Sequence, residues 1–324
     1  MVARTDGSPD DPLRIVYFGT PQFAVPTLAR LIGSRHTVCG VVTQPDRPRG
    51  RGQQVSGSPV KQLAERYGLP VFQPARLRDE GVLETIAGWK PALGVVAAYG
   101  KLVPEALLEL PRHGMINVHA SLLPKYRGAA PVHRAIIDGV PETGITIIRM
   151  VRALDAGDML GRVTRPVGPD ETSDVVERDL AELGADLLLD VVEQIVEGTV
   201  QEERQDDMLS SYAARLTKEE GLIDWRLPAS YIHNRVRGLY PWPHAYSFLD
   251  GARLILLKTR VVTGAPGGEP GTILEVTRDS IHVATGHGGR LAIDRLQPEG
   301  KRPMATREFL AGRPVHGGAR FGPQ

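Results

Sequence analysis

The strongest constraint on the fold is an alternation of short apolar runs with amphipathic stretches between residues 14 and 150. The runs, as at 14–18 and 93–99, are rich in Val and are too short for helices. Between them, as at 21–32 and 59–67, apolar residues recur at helical spacing. Strands that are apolar along their whole length are covered on both faces, so the pattern predicts a doubly wound, mostly parallel α/β sheet. The predicted strands are 14–18, 36–43, 71–72, 93–99, 115–119 and 144–150.

The pattern changes after residue 198 and predicts a second, smaller domain. A long helix is predicted over 172–198, and the polar stretch that follows it, 199–210, is interpreted as a linker. Beyond the linker, short strands are separated by Asp-Gly, Gly-Gly and Pro-Gly turns, which is typical of a small β-barrel of the OB type. The sequence thus predicts a disordered lead-in over 1–12, an α/β domain over 13–198, the linker over 199–210 and a β-barrel domain over 211–324.

Cysteine content and charge exclude several classes of protein. The chain of 324 residues has one cysteine, Cys39, so an internal disulfide is excluded and a reducing compartment, the cytoplasm, is expected. No apolar run of about 18 residues and no signal-peptide pattern occur, so a membrane-spanning helix is not expected. The formal net charge is +1, but residues 211–324 hold 16 Lys and Arg against 10 Asp and Glu. The second domain is therefore expected to present a basic surface that suits an acidic partner.

The polar segment 116–131 carries the densest set of candidate residues. Asn117 and His119 are two residues apart on a predicted strand, so their side chains share one face of the sheet. Ligands of parallel sheets bind at the carboxyl ends of the strands, where an amide can stabilise an oxyanion and an imidazole can move a proton. The alternative interpretation is a hydrogen-bonded core histidine beside a strand-end cap.

A carboxylate follows the last strand of the predicted sheet. Asp155 lies in the segment LDAGDM, directly after the strand at 144–150. A carboxylate at that position can set the protonation state of His119 or hold a water molecule. The alternative is a surface turn, because Asp and Gly are common turn residues.

A third candidate is the basic loop 43–54. It carries Arg47, Arg49 and Arg51 together with two glycines, and arginine suits multidentate contacts with phosphate. The Gly-Lys-Ser/Thr ending of a P-loop is missing, and a solvated loop is the alternative interpretation. No His-Glu-x-x-His or paired-Cys pattern occurs, so no metal site is expected.

Taken together, these segments resemble the 10-formyltetrahydrofolate-dependent formyltransferases, and among them the methionyl-tRNA formyltransferase family. The resemblance extends from about residue 13 to beyond residue 298. It is carried by FGTP at 18–21, TQPDRP at 43–48, SPVK at 58–61, INVH at 116–119, SLLP at 121–124, RGAAP at 127–131, ETG at 142–144, LDAGDM at 154–159 and PWP at 241–243.

The resemblance implies a Rossmann-like catalytic domain and a tRNA-binding C-terminal domain. Asn117, His119 and Asp155 match the catalytic residues of the family. The residues that it implies for the folate site are Ser121, Leu122, Leu123, Pro124, Tyr99, Gly100, Lys101, Leu102 and Val103.

The resemblance also implies the substrates. The co-substrate would be 10-formyltetrahydrofolate, with no metal, and the acceptor would be methionyl-initiator tRNA used in translation initiation. Arg47, Arg49 and Arg51 match a loop that the family inserts at the acceptor stem of the tRNA. No membrane partner is expected, and the protein is expected to be a monomer.

Two departures from the family pattern and two alternative functions accompany this interpretation. Val151, Arg152 and Ala153 stand where the family often has acidic or glycine residues, and Gln53-Gln54 replaces an expected lysine pair.

One alternative function keeps the chemistry but uses a small amine acceptor, such as an amino sugar or a glycinamide nucleotide. The other is a non-catalytic RNA- or nucleotide-binding protein. The arginine loop and the basic second domain favour a tRNA acceptor, and the Asn-x-His pair favours an enzyme.

Overall fold

The computed structural model describes residues 12–49, 54–264 and 267–322. The lead-in predicted to be disordered, apart from residue 12, lies outside the described residues. The chain divides into two compact units, and the division does not follow a single cut. The first unit comprises Met1–Ala129, Glu142–Arg165 and Glu177–Ala213, and the second comprises Ala130–Pro141, Pro166–Val176 and Ala214–Gln324.

The first unit is built on a seven-stranded sheet. The strands of this part of the chain are β1 Arg14–Gly19, β2 Thr37–Val42, β3 Arg47–Arg49, β4 Gln54–Ser56, β5 Val71–Phe72, β6 Leu93–Ala97, β7 Met115–His119, β8 Arg127–Gly128, β9 Glu142–Arg149, β10 Met159–Pro166 and β11 Tyr212–Ala213. The order in the sheet is β10-β9-β7-β6-β1-β2-β5. The pairs β1–β2, β1–β6, β2–β5 and β6–β7 are parallel, whereas β7–β9 is antiparallel. The prediction of a mostly parallel α/β sheet is therefore confirmed.

Burial of whole strands explains why the sheet forms. All five residues of β6 are buried, and so are the last five residues of β1 and of β2. Helices cover this apolar sheet, as expected for strands buried on both faces. The helices of the whole chain are α1 Val25–Ile32, α2 Pro59–Arg66, α3 Val82–Gly88, α4 Glu105–Leu108, α5 Pro131–Asp138, α6 Ser173–Glu197, α7 Ala229–Gly238 and α8 Thr306–Gly312.

The helix predicted over 21–32 is interrupted at its start. Residues Gln22–Ala24 form a 3-10 turn, and α1 begins only at Val25. Pro26 explains the break, because proline has no N–H to donate to the carbonyl of Gln22 four residues earlier. The N–H of Val25 instead bonds to Gln22 at 3-10 spacing.

The segment 199–213 belongs to the first unit and packs on it. Met159 and Glu203 exchange backbone hydrogen bonds of 2.8 and 2.9 Å. Farther along, β11 pairs in parallel with β8. The stretch interpreted as a linker therefore makes backbone contacts within the α/β unit, and Gln205 in its middle is only 5 % exposed.

The second unit contains an antiparallel sheet. Its strands are β12 Ala245–Leu249, β13 Ala252–Val262, β14 Ile273–Val276, β15 Ile281–Ala284, β16 Arg290–Pro298, β17 Met304–Ala305 and β18 Phe321–Gly322. Their order is β14-β15-β16-β13-β12-β18, with β17 paired to β16. Hydrogen bonds of 2.8 Å from Ile273 N to Ala319 O and from Phe321 N to Gly271 O join the two edges. This antiparallel half-barrel confirms the predicted small C-terminal β domain.

The turn between β12 and β13 shows how local sequence sets this sheet. Asp250 and Gly251 both have positive φ, +49° and +72°. A two-residue hairpin needs this conformation at both positions, and Asp-Gly is among the few dipeptides that adopt it readily. Among the described residues, no helix is long and apolar enough to cross a bilayer.

Candidate active site

Strand β7 brings two candidate residues to one edge of the α/β sheet. Asn117 and His119 lie at its carboxyl end and alternate with the buried Val118. The Asn117 side chain is half-buried, and among the described residues its amide has no hydrogen-bond partner. A polar amide that is half-buried without a partner is available to a substrate group.

His119 is held between a backbone carbonyl and a carboxylate. Its Nε2 lies 2.9 Å from the carbonyl oxygen of Tyr126, and its Nδ1 lies 3.7 Å from Oδ2 of Asp155. A carbonyl only accepts hydrogen bonds, so Nε2 carries the hydrogen of that contact. Nδ1 is therefore the ring nitrogen that faces the carboxylate and remains available for a proton or a substrate atom.

Asp155 lies in the loop between β9 and β10, and the backbone holds its carboxylate in place. Its Oδ2 accepts a hydrogen bond of 2.9 Å from the N–H of Gly128. The side chain is 13 % exposed, and Oδ1 has no partner among the described residues. The φ of Asp155 is +50°, a conformation that Asp tolerates better than most residues and that recurs at functional sites.

The turn around Asp155 is held by a residue that the sequence did not single out. Nε2 of Gln205 donates to the carbonyls of Asp155 at 2.8 Å and Gly157 at 2.7 Å. Its Oε1 accepts from Nε and Nη2 of Arg127 at 3.0 and 2.8 Å. No local motif marks Gln205, since it lies in a polar stretch far from Asp155 in the sequence; only the tertiary fold brings the two together.

The segment expected to contact folate, Ser121 to Pro124, is a rigid loop. The hydroxyl of Ser121 donates to the carbonyl of Lys125, and Thr146 bonds to both the Ser121 carbonyl and the Leu123 N–H. Ser121 and Leu123 are buried, whereas Leu122 and Pro124 are partly exposed. A ligand at this loop would therefore meet Leu122, Pro124 and the backbone.

The second expected folate segment, Tyr99 to Val103, follows β6. The Tyr99 ring is buried against Phe18, with the ring centroids 5.5 Å apart, and burial raises the pKa of its phenol to about 12. Its hydroxyl has no partner among the described residues. The residues that this segment exposes are Gly100 and Leu102, whereas Lys101 bonds to the carbonyl of Ala75 and Val103 packs against the core.

The basic loop is a β-hairpin in its described part. Strand β3 pairs antiparallel with β4, with Arg47 opposite Ser56 and Arg49 opposite Gln54. Arg51 lies outside the described residues. At the base of the hairpin, the Lys61 ammonium bonds to the Asp46 carboxylate at 2.5 Å and holds its pKa below the usual range.

No group of three or more His, Cys, Asp or Glu side chains that could hold a metal ion occurs in residues 12–49, 54–264 and 267–322. The candidate site consists of the carboxyl end of β7, the loop that follows β7 and the turn around Asp155.

Comparisons with known proteins match this chain along nearly its whole length. The family model for formyl transferases matches residues 13–192, and the model for the formyl transferase C-terminal domain matches residues 215–314. Methionyl-tRNA formyltransferase from Alkaliphilus metalliredigens is 47% identical over 310 residues, which cover 96% of this chain and 98% of that relative. Methionyl-tRNA formyltransferase from Citrifermentans bemidjiense is 48% identical over 310 residues, with 96% of each chain covered.

Solved structures share the fold at low sequence identity. The crystal structure of WlaRD, a sugar 3N-formyl transferase, gives a TM-score of 0.67 at 15% identity and covers 90% of this chain and 100% of that chain. The N-formyltransferase from Helicobacter canadensis gives 0.66 at 17% identity, with 88% and 99% covered. These structures show the fold, whereas the two family models and the relatives at 47% and 48% identity show that the chain belongs to the formyl transferase family, among the methionyl-tRNA formyltransferases.

Proposed function

We propose that this protein transfers the formyl group of 10-formyltetrahydrofolate to the α-amino group of methionyl-initiator tRNA. The observation that carries the chemistry is the contact of 3.7 Å between the Asp155 carboxylate and Nδ1 of His119. The strand that carries His119 also presents the Asn117 amide, which has no hydrogen-bond partner among the described residues. The acceptor follows from relatives 46–48% identical to this chain that carry the name methionyl-tRNA formyltransferase.

In the proposed reaction, the amine nitrogen attacks the formyl carbon, and the bond from that carbon to the folate nitrogen breaks. Negative charge develops on the formyl oxygen as the carbon becomes tetrahedral. The Asn117 amide is the donor proposed to stabilise this oxyanion, because it has no other partner among the described residues. A fixed donor of this kind needs no reorganisation when the charge appears.

Proton movement is assigned to His119 and Asp155. The amine loses one proton and the folate nitrogen gains one. Oδ1 of Asp155 is free to accept the amine proton, while Oδ2 is held by Gly128 N and faces Nδ1 of His119. In the proposal, a proton on Nδ1 of His119 supports the oxyanion and passes through water to the leaving nitrogen, and the amine proton taken by Asp155 then moves across the 3.7 Å contact to Nδ1. Nε2 takes no part, because it bonds to the Tyr126 carbonyl.

The proposed working form is a cytoplasmic monomer. Cys39 is buried, and burial raises the pKa of its thiol, so it behaves as an inert core residue that suits a reducing compartment. All three proposed catalytic residues come from the first unit of one chain, so the reaction does not call for a second copy.

The tRNA is proposed to meet the β3–β4 hairpin. Replacing Arg47, Arg49 and Arg51 by alanine is expected to lower kcat/KM for methionyl-tRNA about tenfold or more and to leave the KM for the folate unchanged. The slope of log kcat/KM against log salt concentration should fall by about 0.7 to 0.9 for each tRNA phosphate that these arginines neutralise.

Matched alanine replacements of Arg66, Arg76 and Arg78 control for total charge, because these exposed arginines lie in the same unit. An equal loss of folate affinity in the hairpin variant would assign the hairpin a structural role.

The proposed function is tested by formyl transfer from labelled 10-formyltetrahydrofolate to charged acceptors. We expect product with methionyl-initiator tRNA and none above background with free methionine. The amino sugar dTDP-3-aminofucose, which is bound in the Helicobacter canadensis structure, serves as a third arm. Efficient transfer to the amino sugar but not to the tRNA would replace the proposed function by the small-acceptor alternative.

A further inference from the structure

We propose that Gln205 is a positioning residue of the formyl-transfer site, which holds the Asp155 carboxylate against His119. It does so by joining the turn of Asp155 to Arg127. The inference rests on the proposed function, because it takes Asp155 as a catalytic residue.

The hydrogen bonds of Gln205 use its whole side-chain amide. Gln205 is 5 % exposed, and its Nε2 donates to two carbonyls, of Asp155 and Gly157, while its Oε1 accepts two bonds from Arg127. An amide has two donor hydrogens and two acceptor sites, so every one of its hydrogen-bonding positions is engaged. A fully satisfied buried amide fixes the geometry of the groups that it contacts.

The two ends of this bridge lie on the two sides of the carboxylate contact. On one side, Gln205 holds the backbone of Asp155, whose φ of +50° must be maintained by its surroundings. On the other side, it holds Arg127, whose neighbour Gly128 donates its N–H to Oδ2 of Asp155. Loosening the bridge therefore removes the side-chain link between the Asp155 carbonyl and Arg127, whose guanidinium then keeps only its hydrogen bond to Asp207 among the described residues.

The turn that Gln205 holds is also fixed against strand β9 by backbone contacts. A Cβ added to Gly157 would collide with the carbonyl oxygen of Arg149, so this glycine allows the close approach of the turn to β9. The Arg149 N–H also bonds to the Asp158 carbonyl at 2.9 Å. The turn is thus anchored after Asp155, and Gln205 supplies the direct hydrogen bond to the Asp155 carbonyl itself.

The segment that carries Gln205 has anchors of its own. Glu203 exchanges backbone hydrogen bonds with Met159, and the backbone of Ser211 and Ala213 accepts bonds of 2.9 Å from Arg127 N and Ala129 N. These bonds do not involve the Gln205 side chain. A variant that loses the Gln205 amide is therefore expected to keep the segment in place, so that its effect is on the position of Asp155.

The chemistry of the amide explains why glutamine is needed. Glutamate has the same shape, but its carboxylate would face two carbonyl oxygens without a hydrogen to donate. Methionine fills a similar volume but forms none of the four hydrogen bonds. The two variants therefore remove the bridge in different ways while keeping the size of the side chain.

The test measures kcat and KM for Gln205→Glu and Gln205→Met, alone and combined with Asp155→Asn. Each single Gln205 variant is expected to lower kcat about 10- to 100-fold, because a small misplacement of a catalytic group has effects of that order. The KM for methionyl-tRNA should stay within about threefold of the wild-type value. When Asp155 is already asparagine, the same Gln205 substitutions should change kcat less than about threefold, because residues that act through one group are not additive.

Gln201→Ala is the matched control, since Gln201 is exposed in the same segment and bonds only locally, to the Thr199 carbonyl. It should keep wild-type kinetics, and thermal unfolding should show folded protein for each variant. If the methionine variant fails to fold, the glutamate variant decides the question alone.

A Gln205→Glu enzyme with kcat within twofold of wild type would overturn the inference, and so would an equal loss in the Asp155→Asn background. Failure of the proposed function looks different: Asp155→Asn itself would then keep wild-type turnover, whatever the Gln205 variants do.

Discussion

Replacing Asp155 by asparagine is expected to lower kcat for formyl transfer by at least about 100-fold, which corresponds to about 2.7 kcal/mol of transition-state stabilisation. Asparagine has nearly the same shape, and its amide oxygen can still accept the hydrogen bond from Gly128 N. It places no negative charge beside Nδ1 of His119, 3.7 Å away, and it cannot accept a proton from the amine. The variant should therefore fold normally and fail in the chemical step.

Single-turnover formylation of methionyl-tRNA measures this effect apart from tRNA binding. Asp158→Asn is the matched control, because Asp158 lies in the same turn and its side chain has no hydrogen bond or ion pair to any described residue. We expect it to stay within about threefold of wild type. Wild-type turnover in Asp155→Asn would remove Asp155 from the catalytic assignment.

The sequence predicted those parts of the fold in which local pattern and tertiary structure agree. The strand predicted over 115–119 became β7 with the same bounds, because its apolar residues Met115, Ile116 and Val118 are buried within the covered sheet. The helix predicted over 21–32 was wrong at its start, because Pro26 cannot complete a helical hydrogen bond there. Strand β10 was not predicted, because it begins directly after the Asp155 turn and only its first two residues are buried. Its other residues alternate between partly exposed and exposed.

Some residues of the candidate site were recognisable from the sequence, and one was not. Asn117 and His119 were recognisable because alternation along one strand puts both on one face. Asp155 was recognisable because it follows a predicted strand. Gln205 was not, because nothing in a polar stretch shows which of its glutamines will be buried. Its contacts to Asp155 and Arg127 join residues 50 and 78 positions apart, and such pairs are visible only once the chain is folded.

The fold also shows what the acidic side chains of the segment 199–213 contact. Residues 199–213, which are rich in acidic and polar side chains, belong to the α/β unit and not to a free connection. Three of their acidic residues pair with arginines of the same unit: Glu202 with Arg149, Glu203 with Arg162 and Asp207 with Arg127. These three ion pairs hold the acidic segment on the α/β unit and leave the net charge of that unit unchanged.

The second large effect is expected at Asn117. Asn117→Ala should lower kcat about 100- to 1,000-fold, the range found when one donor to a developing oxyanion is removed. The side chain is half-buried and its amide has no partner in the described part of the chain, so truncation breaks no internal hydrogen bond. The free energy of unfolding should therefore change by less than about 1 kcal/mol, as for substitutions away from the tightly packed core. The measurement is kcat together with urea unfolding of the same sample.

Asn117→Asp separates an electrostatic role from a packing role at this position. Aspartate keeps the shape of asparagine but replaces the donor by a negative charge, which repels an oxyanion. If Asn117 stabilises the oxyanion, the aspartate variant should lose at least as much activity as the alanine variant. If Asn117 only fills space beside His119, the isosteric aspartate should be the milder change, because alanine would leave the larger gap. Since both variants remove the same donor, the order of the two rates decides between the roles without reference to the absolute size of either loss.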